Sequence, residues 1–280
     1  MIFGHSIAKS HSDARVAEGS ARIRSIMTDL EQYRYKYELH LHTCQGSACG
    51  RNTGAEMAKA AKEYGYDGIV VTDHAWGGNT AVDRSLPWEE WMRQYIKGYE
   101  DAKAWGDENG LLVMFGMETG FDGTEFLLYG LTPEYMINTP AFRNASISEQ
   151  LKLVHEGGGI VMQAHPYREE YYIPEVRLFP DDVDGVESIN ATHTSHLSKA
   201  HLGMEYNERA IEYAREHNFP TCAGSDVHTT TMFGGGIMTK EPLKNSKDLT
   251  DLIMSDEMYL LTDGDRIYDR YGNLLKDYKE

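Results

Sequence analysis

Imidazole and carboxylate side chains recur in this sequence where short apolar runs stop. ELHLHT carries His40 and His42, GIVVTDH ends in Asp73 and His74, and VMFGMETG ends in Glu118. GGGIVMQAHPYR ends in His165 with Arg168 just beyond, and DGVESIN leads through Asn190 into ATHTSH with His193 and His196. TCAGSDVH supplies Asp226 and His228. Alternate residues of a strand point to one side, so His40 with His42, and Asp226 with His228, can serve a common ion. Any single one of them could instead cap a neighbouring helix. The joint pattern points elsewhere, because converging carboxylates repel and are costly to bury unless cations neutralise them. Mixed nitrogen and oxygen donors suit Zn, Mn or Fe, whereas a Mg or Ca site would use fewer imidazoles. This many donors fits two or three divalent ions, with Glu118 as the candidate bridging carboxylate.

Such donors need elements that bring them together. From residue 36 onward, apolar runs alternate with helical segments. The expected strands are Tyr37–Leu41, Gly68–Thr72, Leu112–Met117, Phe126–Gly130, Gly159–Gln163, Gly185–Ile189, Pro220–Gly224 and Met258–Thr262. The expected helices are Gly54–Tyr64, Pro87–Trp105, Ile147–His155, Tyr206–His217 and Ser246–Met254, and Ser146 with Glu149 has the spacing of a capping box. The alternation argues for an α/β fold on a parallel sheet, open or closed into a barrel, in which strand C-termini share one face. Two insertions follow histidine-bearing strand ends, near residues 75–105 and 167–181. The first holds all four tryptophans, Trp76, Trp88, Trp91 and Trp105. These either pack a local helix onto the body or offer aromatic surface to a ligand, and both insertions are expected to act as lids. Residues 1–33 read as an N-terminal extension, partly helical or disordered, ahead of a catalytic domain over 34–280. Asp263-Gly264 and Tyr271-Gly272 mark turns of a C-terminal β-hairpin.

Taken in order, HLHT, VTDH, GMETG, QAHPYR and AGSDVH resemble the PHP (polymerase and histidinol phosphatase) family over about residues 37–230. The resemblance implies a distorted (β/α)7 TIM-like barrel with two or three metals at the strand C-termini. It implies that His40, His42, Glu118 and Asp226 hold one metal. Glu118 and His165 would hold a second, with His193 or His196 as a further ligand, and His74 and His228 would contribute to a third. Asp73 would orient a ligand or take part in catalysis. The chain departs from some family members in two places: CQGSACGR offers no histidine after the first pair, where Cys49 or a water would have to serve, and Thr132 follows FLLYGL where others carry a histidine.

The resemblance further implies a phosphoesterase acting on a small phosphomonoester, nucleotide-like or histidinol-phosphate-like, through a hydroxide bridging two metals. Arg168 would grip the phosphate in a bidentate way, unless it pairs with Glu169 or Glu170. His193, His196 or His228 would protonate the leaving alkoxide. A metal-dependent hydrolase of a non-phosphate bond and a non-catalytic binding module are the competing classes, and the second predicts eroded ligands. The formal net charge of −17 disfavours long nucleic acids and acidic membranes as partners, but not a small phosphorylated substrate, because metals reverse the local sign. No apolar run is long enough for a membrane span or a secretory signal. Three cysteines, Cys44, Cys49 and Cys222, read as reduced thiols. A cytoplasmic location is the resulting expectation.

Overall fold

A computed structural model describes residues 30–196 and 201–279. The expected N-terminal extension over residues 1–33 therefore lies almost wholly outside the described residues. Leu30–Gln32 form a short 3-10 turn, and Tyr33 behind it is buried against Leu260, Ile267 and Leu275.

Among the described residues, eleven strands form one sheet in the order β11-β10-β9-β8-β1-β2-β3-β4-β5-β6-β7. They are β1 (Tyr35–Leu41), β2 (Gly68–Val71), β3 (Leu112–Phe121), β4 (Thr124–Tyr129), β5 (Ile160–Ala164), β6 (Gly185–Asn190), β7 (Thr221–Gly224), β8 (Gly236–Thr239), β9 (Leu260–Thr262), β10 (Arg266–Asp269) and β11 (Leu274–Asp277). Strands β2, β5, β6 and β7 are buried at every residue, as strands covered on both faces must be. Parallel pairing links β1, β2 and β3, and again β5, β6 and β7. The sheet curls until β7 comes beside β1. There His42 N donates to Val227 O at 2.8 Å and Val227 N to His40 O at 3.0 Å. Gly224 permits this approach, since a Cβ there would lie 2.5 Å from that of His40.

The helices are α1 (Gly54–Glu63), α2 (Trp88–Tyr95), α3 (Lys97–Asn109), α4 (Pro133–Ile137), α5 (Ile147–Glu156), α6 (Met204–His217) and α7 (Ser246–Met254). Ser146 and Glu149 form the expected capping box on α5, and Thr53 with Glu56 forms another on α1. The long helix expected over 87–105 is two, broken at Ile96. Gly98 lets the start of α3 settle against the loop after β1, where a Cβ would meet Thr43 Oγ1 at 2.1 Å.

The fold is α/β as expected, but the sheet departs from seven βα units. Strand β4 runs antiparallel to both β3 and β5. Asp122 (φ 48°) and Gly123 (φ 80°) form the two-residue turn between β3 and β4, and an Asp-Gly pair is well suited to left-handed backbone at both positions. No helix separates β5 from β6, and β8, antiparallel to β1, extends the sheet on its other side. The result is a curled half-barrel. The C-terminal turns fall where the sequence places them, within the β9–β10–β11 meander.

The tryptophans of the first insertion settle into packing. Trp91 is fully buried and stacks on Tyr95 at 4.9 Å, Trp88 stacks on Trp91 at 5.4 Å, and Trp76 lies against Trp91 with Arg143 over its ring. These three tryptophans share a cluster with Phe115, Phe126 and Phe142, Trp105 packs instead against the cluster of Leu111 and Val113, and none of the four lines the cleft described below.

Candidate metal centre

The C-terminal ends of β1, β2, β3, β5, β6 and β7 meet on one rim, joined by the N-terminal end of the reversed strand β4. Glu118 sits at its centre. Its Oε1 lies 3.1 Å from His40 Nε2 and 3.4 Å from His165 Nε2. Its Oε2 lies 2.9 Å from His74 Nδ1 and 3.5 Å from His42 Nε2. Asp226 Oδ1 lies 3.2 Å from His42 Nε2 and 3.5 Å from His40 Nε2. Two of these residues occupy left-handed backbone, His165 at φ 26° and Asp226 at φ 50°, a strain that surrounding structure must sustain.

The short contacts are not hydrogen bonds. His40 Nε2, His42 Nε2, His74 Nδ1, His165 Nε2 and both oxygens of Glu118 are buried without a hydrogen-bond partner. An orphaned buried polar atom costs about 1–3 kcal/mol, so six in one place need a common partner. The outer ring nitrogens explain which way the lone pairs face. His40 Nδ1 bonds Glu187 Oε1 at 2.9 Å, and His228 Nδ1 bonds the Asp226 carbonyl at 2.8 Å. His42 Nδ1 bonds Ser47 Oγ at 3.1 Å, and Ser47 Oγ in turn donates to Asp73 Oδ1 at 2.7 Å. Each outer nitrogen is thus the donor, which leaves an acceptor lone pair on the inner one. Ligands about 2.0–2.2 Å from one ion sit roughly 3–3.5 Å apart, the spacing found here. Among the described residues, four sets have donor atoms mutually within 4.8 Å: His40, Glu118 and His165; His40, His42 and Asp226; His42, His74 and His228; and His74, Glu118 and Glu125. The residues present fit a cluster of divalent cations, and their nitrogen and oxygen mixture fits Zn, Mn or Fe.

The electrostatics agree. Burial alone would push the Glu118 and Asp226 carboxyls up. Without cations, only protons on the facing rings, on His40 and His74 for Glu118 and on His40 beside Arg168 for Asp226, hold both well below the usual range, and bound cations would take the place of those protons. Burial, followed by repulsion from Glu118, pushes Glu125 up to about 7. His42 is lowered to about 3 by burial and by His74 and His228. Bound cations would relieve the carboxylate repulsion.

The remaining expected site residues are placed unequally. Asp73 is buried and accepts from Thr43 N and Oγ1, each at 2.6 Å, as well as from Ser47. It orients His42 through that serine. Arg168 is buried, with Nη2 on Asp226 Oδ2 at 2.7 Å and on Thr192 Oγ1 at 3.2 Å, and Nε on His193 Nε2 at 3.2 Å. It pairs with neither Glu169 nor Glu170, which take Arg209 and His201 instead. His193 departs from the expected metal-ligand role. Its Nδ1 bonds Asn207 Oδ1 at 2.8 Å, so its inner nitrogen accepts from Arg168 and has no lone pair left for a metal. Burial, then Arg168, lowers its pKa well below the ordinary value, so it supports Arg168 as a neutral ring and is unsuited to donate a proton. His196 departs further: its side chain is 62% exposed and turned to Asp265, outside the cluster, so it neither ligates a metal nor reaches a leaving group there.

Three carboxylates escaped the sequence reading. Glu187 anchors His40. Glu38 accepts from His40 N at 2.9 Å and Ser225 N at 2.8 Å, tying β1 to the loop after β7. Glu125 enters the cluster only because β4 is reversed. For Glu38 and Glu187 the available signal was a carboxylate inside an expected strand, two residues before His40 and three before Asn190; for Glu125 it was the Asp-Gly turn three residues before.

A cleft of about 480 Å³ opens onto the cluster, lined by His74, Glu118, Arg168, Asp226 and His228 at its base and by Phe121, Tyr171 and Tyr172 among others above. His201 also lines it, its Nδ1 held by Glu170 Oε1 at 2.7 Å. The second insertion, which carries Tyr171 and Tyr172, therefore forms part of the cleft wall.

A family model described as PHP domain matches residues 38–226, and one described as PHP-associated matches residues 204–257. An uncharacterised protein of Methanocaldococcus jannaschii is 28% identical over 168 residues, covering 56% of this chain and 83% of that protein. Among solved structures, the chain resembles a two-domain protein from Bacteroides vulgatus described as containing a predicted PHP-like metal-dependent phosphoesterase. That match has a TM-score of 0.58 at 14% identity and covers 81% of this chain but only 64% of the other. PsfC from Pseudomonas syringae matches with a TM-score of 0.54 at 15% identity, over 77% of this chain and 87% of that one. At these identities the two structural likenesses are likenesses of fold.

Proposed function

The chain belongs to the PHP domain family, and from that premise we propose that it is a metal-dependent phosphoesterase hydrolysing a small phosphomonoester. One observation carries the reading: six orphaned, buried donor atoms converge at the base of a cleft that also holds a buried arginine. When bound, the divalent cations would lower the pKa of a coordinated water and neutralise phosphoryl oxygens. The protein's own residues do the rest. Glu187, Ser47 with Asp73, and the Asp226 carbonyl hold His40, His42 and His228 with their inner lone pairs exposed. Arg168, braced by His193 and Thr192, presents its guanidinium to a phosphate entering the cleft. The intact donor set speaks against a non-catalytic binding module.

Metal analysis paired with a phosphate-release screen tests the proposal. The expected result is two or three divalent ions per chain and release from small monoesters. Turnover of amides or lactones with no release from any phosphate ester would overturn it.

The proton for the leaving alkoxide comes, in this reading, from His201. It lines the cleft, ligates nothing, and has its outer nitrogen fixed by Glu170. Burial and then Arg168 lower its pKa, and the negative charge of a bound phosphate would raise it again. His201→Gln is expected to slow alkyl phosphate hydrolysis by about 10²–10⁴-fold while sparing p-nitrophenyl phosphate, whose leaving group needs no proton. Equal slowing of both substrates would remove His201 from that role.

A further inference from the structure

Asn190, Thr192, His193 and Asn207 are buried beside Arg168 and bonded to one another in a fixed sense. Asn207, on α6, clasps the backbone of Asn190 at the end of β6. Asn190 N donates to Asn207 Oδ1 at 3.1 Å, and Asn207 Nδ2 donates to Asn190 O at 3.1 Å. A backbone N–H can only donate and a carbonyl can only accept, so this amide has one orientation. The same Oδ1 faces His193 Nδ1 at 2.8 Å. That nitrogen must therefore carry the proton, and Nε2 turns a lone pair to Arg168 Nε at 3.2 Å. A second carboxamide does the same for the other arm. Asn190 Oδ1 accepts from Thr192 N at 3.1 Å and from Thr192 Oγ1 at 2.5 Å. The hydroxyl proton is committed there, which leaves Thr192 Oγ1 a lone pair for Arg168 Nη2 at 3.2 Å. Asn190 Nδ2 in turn donates to Glu187 Oε2 at 3.0 Å. That carboxylate also accepts from His165 N at 3.1 Å and holds His40 Nδ1.

We propose that Asn190 and Asn207 are positioning residues for phosphate recognition: two buried carboxamides that fix the direction of the protons on Thr192 and His193 and so aim both lone pairs at the Arg168 guanidinium. The inference rests on the phosphoesterase reading, in which Arg168 meets the phosphate. With Nε and Nη2 engaged, Nη1 is the arm left for a ligand. An arginine fixed beforehand gives up little rotamer freedom when phosphate arrives. Reversing either carboxamide would turn an N–H or O–H toward the guanidinium, and in a buried network such a mismatch is costly. Through Glu187 the same chain of bonds reaches His40 and His165, so one network sets both the phosphate arm and the ring donors.

Calorimetric binding of inorganic phosphate to the zinc-loaded full chain tests this without turnover. Asn207→Asp keeps the shape but removes the donor to Asn190 O and favours a second proton on His193, whose Nε2–H would then face the guanidinium. The dissociation constant for phosphate is expected to rise about 10- to 100-fold, the range for a hydrogen bond to a charged group, with metal content unchanged. Thr192→Val acts on the other arm, leaves α6 intact and is expected to weaken phosphate binding as well. A merely structural role would lower affinity in any background. Acting through the arginine, Asn207→Asp should instead add little in an Arg168→Lys background. The nitrogen-15 resonances of His193 read the tautomer directly, with a proton expected on Nδ1 and none on Nε2. Unchanged phosphate affinity in either single variant, equal losses in the two backgrounds, or a proton on His193 Nε2 in the unaltered protein would overturn the inference and leave the phosphoesterase reading standing. Phosphate binding that Arg168→Lys leaves unchanged would remove the arginine from phosphate recognition and take this inference with it.

Discussion

Glu118→Gln is expected to strip the protein of metal and reduce hydrolysis to background. Both oxygens of Glu118 face ring nitrogens, and two of the four donor sets depend on it. Glutamine keeps the shape, but its amide nitrogen has no lone pair to offer a cation and no negative charge to balance one. The loss should therefore exceed the 10–100-fold typical of outer partners, with activity down by roughly 10³-fold or more. A second readout separates this from simple misfolding. A ligand at a thousand times its dissociation constant stabilises the native state by about 4 kcal/mol, so chelation should lower the melting temperature of the unaltered protein markedly. The variant should already sit near that lower value and respond little to chelator. Retention of a full metal complement by Glu118→Gln would sink the bridging assignment.

Arg168→Lys is expected to lower kcat/KM for phosphate esters roughly 100-fold, about 2.7 kcal/mol of transition-state binding, while leaving metal content unchanged. Arg168 spreads its N–H groups over Asp226, Thr192 and His193, a geometry that a single ammonium cannot reproduce. Inhibition by inorganic phosphate should weaken in parallel, because the product offers the same oxygens. Metal content is the deciding control. The contact with Asp226 makes a second role conceivable, in which the arginine merely holds that carboxylate for a cation. If ions are lost along with activity, Arg168 acts through Asp226 and does not grip phosphate. Arg168→Met would be a poorer test, since it leaves a buried carboxylate unpaired and costs several kcal/mol of stability.

The two carboxylate–histidine arrangements at the rim illustrate a division of labour. In the proposed function, pairs whose histidine keeps a free inner lone pair, such as Glu187 with His40, would serve ligation. The pair of Glu170 with His201 stands to the side and would serve proton transfer. His193 belongs to neither group, because Asn207 and Arg168 occupy both of its nitrogens.

Much of the centre was legible in the residues themselves. His40, His42, His74, Glu118, His165, Asp226 and His228 each terminate an apolar segment, and the alternation of such segments with helices places those ends on one face whatever the detailed pairing. Local periodicity and capping are encoded within a few residues, which is why the strands, the Ser146–Glu149 cap and the C-terminal turns could be read directly. Contacts between distant segments could not. His40 and the glutamate that orients it are 147 residues apart in sequence, and nothing local to either one announces the other. The reversal of β4, which brings Glu125 into the cluster, depends on a two-residue turn whose consequence appears only once β3 and β5 flank the strand. His193, His196 and His201 are alike as residues. Tertiary packing alone decided that the first braces Arg168, the second faces Asp265 outside the cluster and the third lines the cleft, because a ring's role is set by what meets its two nitrogens.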